Sequence, residues 1–175
     1  MIQLTAKACI VGDFAVGKTS TVERFVNNQF SEKYLTTVGV KIDTKETPLP
    51  DRGVSQKLVL WDVAGKDTFG DIEFAYLRGA AGIIYVADGT RSQTIATAHD
   101  LRRQIEARIG ETPFVFLLNK SDLESAWEVS ARQIEALRAA VSNLFITSAK
   151  RGDNVDDALT RLSEMIADRE LAAER

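Results

Sequence analysis

The sequence predicts an α/β fold: a six-stranded, mostly parallel sheet with helices on both faces. Two observations lead there. Apolar runs of strand length alternate along the chain with longer stretches of helical period, without repeats, linkers or low-complexity segments. Runs such as GIIYVAD (82–88) and FVFLLNK (114–120) are apolar at nearly every position, as in strands covered by helices on both sides.

Strands are expected at about 3–11, 39–47, 54–62, 82–88, 113–119 and 143–148, from their apolar and β-branched content. PLPDRG, Pro48 to Gly53, has a turn composition that joins the second and third as a hairpin. Helices are expected at about 18–28, 69–78, 92–109, 130–141 and 154–171. Ser130 with Gln133 forms a capping box just before IEALRAAV. Residues 1–175 read as one domain.

Composition narrows the function. The apolar fraction of 45% against 27% charged is that of a globular protein with a proper core. Lysine plus arginine total 22 and aspartate plus glutamate 25, so the net charge of −3 gives no electrostatic case for nucleic acid or an anionic membrane. No apolar run approaches the roughly 20 residues of a membrane span, and MIQLTAKACIVGD lacks the basic start of a signal peptide. A cytoplasmic protein is expected. Cys9, the single cysteine, sits in a strand pattern and reads as a small buried thiol. ELAAER, at the C-terminus, offers no cysteine for prenylation. His99 lies in a helical stretch without ligand-spaced neighbours and reads as a packing or surface residue.

The chemistry sits where strands end. GDFAVGKT, Gly12 to Thr19, follows the first strand and opens the first helix, fitting G-x-x-x-x-G-K-[ST]. In such a loop the backbone N–H groups of Ala15, Val16, Gly17 and the residues after them point at phosphate oxygens, aided by the helix dipole. Lys18 adds a point charge for the terminal phosphates, the Thr19 hydroxyl can ligate Mg2+, and Ser20 follows in the first helical turn. Asp62, closing the third strand in LVLWD, can hold the magnesium and its waters. Gly65, three residues on, can bring its N–H close to a third phosphate.

A second group reads a base. NKSD (119–122) ends the fifth strand and TSAK (147–150) the sixth. Asp122 can accept two parallel hydrogen bonds from the ring N–H and exocyclic amine of guanine, a donor pair that adenine lacks. Asn119 can contact the other edge of the base, the Lys120 stem its face, and the Ala149 N–H its exocyclic oxygen, with Ser148 and Lys150 completing that loop.

With GDFAVGKT, WDVAG, NKSD and SAK in this order, the chain resembles the Ras superfamily of small GTPases over nearly its whole length, and its Rab branch most, through NNQFSEKYLTTVGVKI (27–42) and AYLRGAAGIIYVAD (75–88). The resemblance implies a P-loop Ras-like G domain that binds GTP and GDP with Mg2+. It implies that Thr37 closes over the metal, that Phe30 leans on the guanine and that Tyr34 covers the phosphates. It also implies that nucleotide state is read through two switch segments by effectors, an exchange factor and a GTPase-activating protein. Gly65, Lys18 and Thr37 would then serve hydrolysis.

Two residues depart from the family pattern. Lys66 stands where relatives carry a glutamine that orients the attacking water; an ammonium has three donors and no acceptor and cannot orient water that way. Lys66 is thus a catalytic candidate only through stabilising charge on the phosphate oxygens, the other reading being that it points to solvent or pairs with Asp67. Phe14 stands where relatives carry a small residue, in the space a partner's arginine enters. Both bear on hydrolysis rather than binding, so slow turnover of GTP is expected. The alternative is an interaction module that stays loaded with GTP; a third reading, an ATP-using P-loop enzyme, fits the first motif but not NKSD.

Overall fold

The computed structural model describes residues 1–32, 37, 39–65 and 69–175. Its strands are β1 (Ile2–Gly12), β2 (Val40–Leu49), β3 (Val54–Val63), β4 (Gly82–Asp88), β5 (Phe114–Asn119) and β6 (Leu144–Ile146). Its helices are α1 (Lys18–Asn27), α2 (Asp71–Tyr76), α3 (Gln93–Ile109), α4 (Ala131–Ala140) and α5 (Val155–Ala173). The strands form one sheet in the order β2-β3-β1-β4-β5-β6. β2 runs antiparallel to β3, and the other pairings are parallel.

Strand periodicity explains the layers. Alternate residues of a strand face opposite sides of the sheet, so a doubly apolar strand feeds two cores. Ala6, Ala8 and Ile10 of β1 join Ile84 and Val86 of β4 beneath α1 and α5, meeting Phe25, Leu159 and Leu162. Cys9, Val11, Ile83 and Tyr85 face the other way, toward Phe74 of α2, Leu101 and Ile105 of α3 and Leu137 of α4. The ring of His99 lies 5.2 Å from that of Phe116 on this side, as a packing residue.

The expected elements are present, with local corrections. β2 continues through Pro48 to Leu49, and the chain turns in a 3-10 turn at Pro50–Arg52 closed by the Gly53 N–H on the Pro50 carbonyl. Proline is tolerated there because β2 is an edge strand. The Ser130 hydroxyl accepts from the Gln133 N–H and the Gln133 side chain from the Ser130 N–H, at 3.1 and 2.8 Å, completing the capping box. α2 is shorter than expected because Leu77 and Arg78 make bonds to residues three back, which tighten and end it. β6 stops at Ile146 because the Ser148 N–H leaves the ladder for the Asp153 carbonyl. Among the described residues no helix is long and apolar enough to cross a membrane.

Candidate functional site

The parallel strands deliver their carboxyl ends to one edge of the sheet, and a cavity of about 450 Å³ opens there. Ala15, Gly17, Lys18 and Thr19 line one end of it, with Ser20, Thr37 and Gly65 beside them. Asn119, Lys120, Asp122, Ala149 and Lys150 line the other end, and Phe30 stands between. The structure thus brings together both groups of motif residues. Tyr34 and Lys66 lie outside the described residues.

The loop between β1 and α1 is shaped by side chains. Lys18 is buried, and its Nζ donates to the carbonyls of Gly12 at 3.2 Å and Asp13 at 2.8 Å. Burial pulls its pKa down to about 8, against the opposing pull of Asp62 and Asp13. Gly65 passes so close that a Cβ there would stand 2.7 Å from Lys18 Nζ and 2.9 Å from the Asp13 carbonyl oxygen, which is why a glycine follows Asp62 at this spacing. Gly12 and Val16 do not line the cavity; Val16 is buried and its carbonyl accepts from the Asn119 side chain of β5.

Asp62 is fully buried at the end of β3. Its Oδ2 accepts from the Thr19 hydroxyl at 2.5 Å, and the Thr19 and Thr37 hydroxyls lie 2.6 Å apart. Oδ1 has no hydrogen-bond partner among the described residues. Burial pushes this carboxyl up from its ordinary pKa, resisted by Thr19 and Lys18. A buried carboxylate with one unsatisfied oxygen beside two hydroxyls is an all-oxygen donor set, and it fits a hard cation such as Mg2+. Among the described residues there is no cluster of three or more His, Cys, Asp or Glu side chains able to hold a metal, so the fit depends on the hydroxyls.

At the other end the structure shows what the side chains at and after the ends of β5 and β6 hold. Asn119 is 2% exposed, and its amide is already engaged: Nδ2 donates to the Val16 carbonyl at 3.1 Å, while Oδ1 accepts from the Thr147 hydroxyl and the Ala149 N–H at 3.1 and 3.2 Å. It ties three segments together while lining the cavity, and the Ala149 N–H is turned onto it. Asp122 is half-buried, with Oδ1 held by the Ser148 hydroxyl at 2.7 Å. Ser148 is itself buried and shapes the site through this bond. Lys150 reaches across to Glu32 at 3.0 Å, an exposed pair worth little by itself. Phe14 lines the cavity and is 48% exposed.

Three residues that sequence reasoning missed also hold the site. Asp88, at the carboxyl end of β4, is 1% exposed and accepts from Lys120 Nζ at 2.9 Å. Its place at a strand end was the available signal. Arg91 bonds the same carboxylate at 3.1 Å. Arg24 of α1 donates from Nε to the Ala149 carbonyl at 2.8 Å, bracing the loop after β6; nothing local in α1 marks it.

Comparison with known proteins shows the family. A family model described as the Ras family matches residues 7–168. Ras-related protein SEC4 of Candida albicans is 34% identical over 165 residues, covering 93% of this chain and 78% of its own length. Ras-related protein SEC4 of Saccharomyces cerevisiae is 35% identical over 165 residues, with 93% and 75% covered. Ras-related protein Rab-13 of Rattus norvegicus is 36% identical over 162 residues, with 91% and 79% covered. A parallel sheet carrying a phosphate-type loop, an aspartate-glycine pair and two base-site loops, matched over this span, places the chain in the Ras family of small GTPases, on its Rab branch.

Proposed function

We propose that this single G domain is a guanine-nucleotide switch that hydrolyses GTP slowly. The observation that carries the reading is the one cavity joining the Lys18 loop to Asp122. Its two ends suit the phosphates and the base of a single nucleotide, and Asp122, steadied by Ser148, supplies the acceptor pair that favours guanine over adenine.

In this reading Thr19, Thr37 and Asp62 would hold Mg2+, which supplies positive charge beside the phosphates when bound. The loop N–H groups and Lys18 bind the phosphate chain, and Gly65 approaches its end. Phe30 and the Lys120 stem flank the base. Lys66 presents donors only, so it cannot accept a proton from an attacking water, and Phe14 fills the approach used by a partner's cation. Effectors, an exchange factor and a GTPase-activating protein would meet the segments around Thr37 and Gly65, in the cytoplasm where nucleotide is supplied.

Single-turnover hydrolysis of pre-loaded GTP with magnesium tests this, comparing wild type with Lys66→Gln. The glutamine variant is expected to be at least tenfold faster, since its amide both accepts and donates. A wild type that is equally fast or faster defeats the claim of slow turnover. A wild type with no turnover and GTP retained after purification identifies the loaded interaction module instead.

A further inference from the structure

Three successive carbonyls of the loop after β1 are each taken by a side chain from elsewhere. Arg91 Nη2 donates to Phe14 O at 2.6 Å, Lys120 Nζ to Ala15 O at 2.8 Å, and Asn119 Nδ2 to Val16 O at 3.1 Å. In a trans peptide the C=O and the next N–H point in opposite directions. Pinning these carbonyls outward therefore aims the N–H groups of Ala15, Val16 and Gly17 the other way, toward the cavity that Ala15 and Gly17 line.

Arg91 precedes α3 in the segment DGTRSQ and belongs to none of the motifs above. It is held from behind: its Nε donates to Asp88 Oδ2 at 3.1 Å, and the same buried carboxylate takes Lys120 Nζ at 2.9 Å. One carboxylate thus orients both cations that grip adjacent peptides. The grip matters at Ala15, whose φ of 59° lies in the left-handed region that a residue with a Cβ disfavours. The loop does not hold this shape by its own propensity. Arg91 does not line the cavity, so it acts through the backbone and not on a ligand.

We propose that Arg91 is a positioning residue of the nucleotide site: its bond to the Phe14 carbonyl aims the Ala15 N–H at the phosphate chain and holds Ala15 left-handed. This rests on the guanine-nucleotide reading. The test is release of a fluorescent GDP from the magnesium-loaded full chain, for wild type, Arg91→Gln and Arg91→Lys, each with Ala15 and with Ala15→Gly. Arg91→Gln is expected to speed release roughly tenfold, the scale of one hydrogen bond to a charged group, with Arg91→Lys in between because it keeps a charged donor. Glycine enters the left-handed region freely, so with Ala15→Gly the Arg91→Gln effect is expected to shrink several-fold. An unchanged release rate in Arg91→Gln, an equal factor in both backgrounds, or an Arg91→Lys as fast as Arg91→Gln overturns the proposal. Failure of the wild type to retain GDP overturns the nucleotide reading itself, a separate result.

Discussion

Gly17 lies against the side-chain amide of Asn119, so closely that a Cβ on Gly17 would stand 2.3 Å from Nδ2. The glycine of one motif and the asparagine of another, 102 positions apart in the numbering, are thus fitted to each other. Gly17 also has a φ of 101°. Gly17→Ala must strain the backbone or push Asn119 off Val16 and Ala149. Its affinity for GDP is expected to fall roughly a hundredfold, the combined scale of a strained residue and a lost buried bond. Equilibrium titration with a fluorescent GDP measures this, and an unchanged affinity contradicts the fit.

Asp88 should make stability depend on acid. Burial opposes its charge, but hydrogen bonds from Thr90 and Lys120 outweigh that and hold its pKa below the ordinary value. A carboxyl with a depressed folded pKa contributes stability that is present above its unfolded pKa of about 3.8 and lost as pH falls through the folded value. Asp88→Asn is expected to cost about 3 kcal/mol at pH 7, because Lys120 and Arg91 lose their common partner. That gap should narrow steadily below pH ~4, where the wild-type carboxyl itself takes up a proton. Urea unfolding of both proteins between pH 7 and pH 3 provides the comparison; a gap independent of pH argues against the charge.

Gln56 marks a place where the core can be improved. It lies between Val54 and Leu58 on β3, fully buried, and neither amide atom has a hydrogen-bond partner among the described residues. Thr47, opposite it on β2, likewise has no partner for its hydroxyl among the described residues. Gln56→Met keeps the unbranched shape and removes the stranded polar atoms. A stabilisation of about 1–3 kcal/mol is expected, raising the melting temperature by several degrees for a chain of this size. A lower melting temperature would mean that the amide is satisfied.

Cys9 should be chemically silent while the fold is intact. Its thiol is buried in β1, and burial pushes its pKa up to about 12 although nearby Lys7 pulls slightly the other way. The reactive thiolate is therefore scarce at pH 8. A colorimetric disulfide reagent is expected to titrate one thiol per chain in denaturant, and in native buffer only as fast as the protein unfolds. Immediate labelling of native protein would show that the strand opens locally.

Much of the architecture was legible because its signals are local. GIIYVAD and FVFLLNK are apolar up to their last residues, and that pattern is enough to imply strands covered on both faces. Ser130 and Gln133 are three residues apart, so their capping box is visible before any tertiary contact exists. The elements that stop short of their expected ends, β6 and α2, are those ended by bonds outside the periodic pattern, such as Ser148 to Asp153.

The sequence by itself determined which strand ends carry the motif residues: Lys18 and Thr19 after β1, Asp62 and Gly65 at the end of β3, Asn119 and Asp122 at the end of β5. Residue type and spacing suffice for that. Only the tertiary structure decided what those side chains hold. Asn119 holds Val16 and Ala149, and Arg91, just before α3 and steadied by Asp88 of β4, grips the Phe14 carbonyl. The bonds to Val16, Ala149 and Phe14 join residues dozens of positions apart, and their partners are chosen by which strand lies beside which in the sheet. The β1–β4–β5 adjacency sets that choice, and no local pattern encodes it.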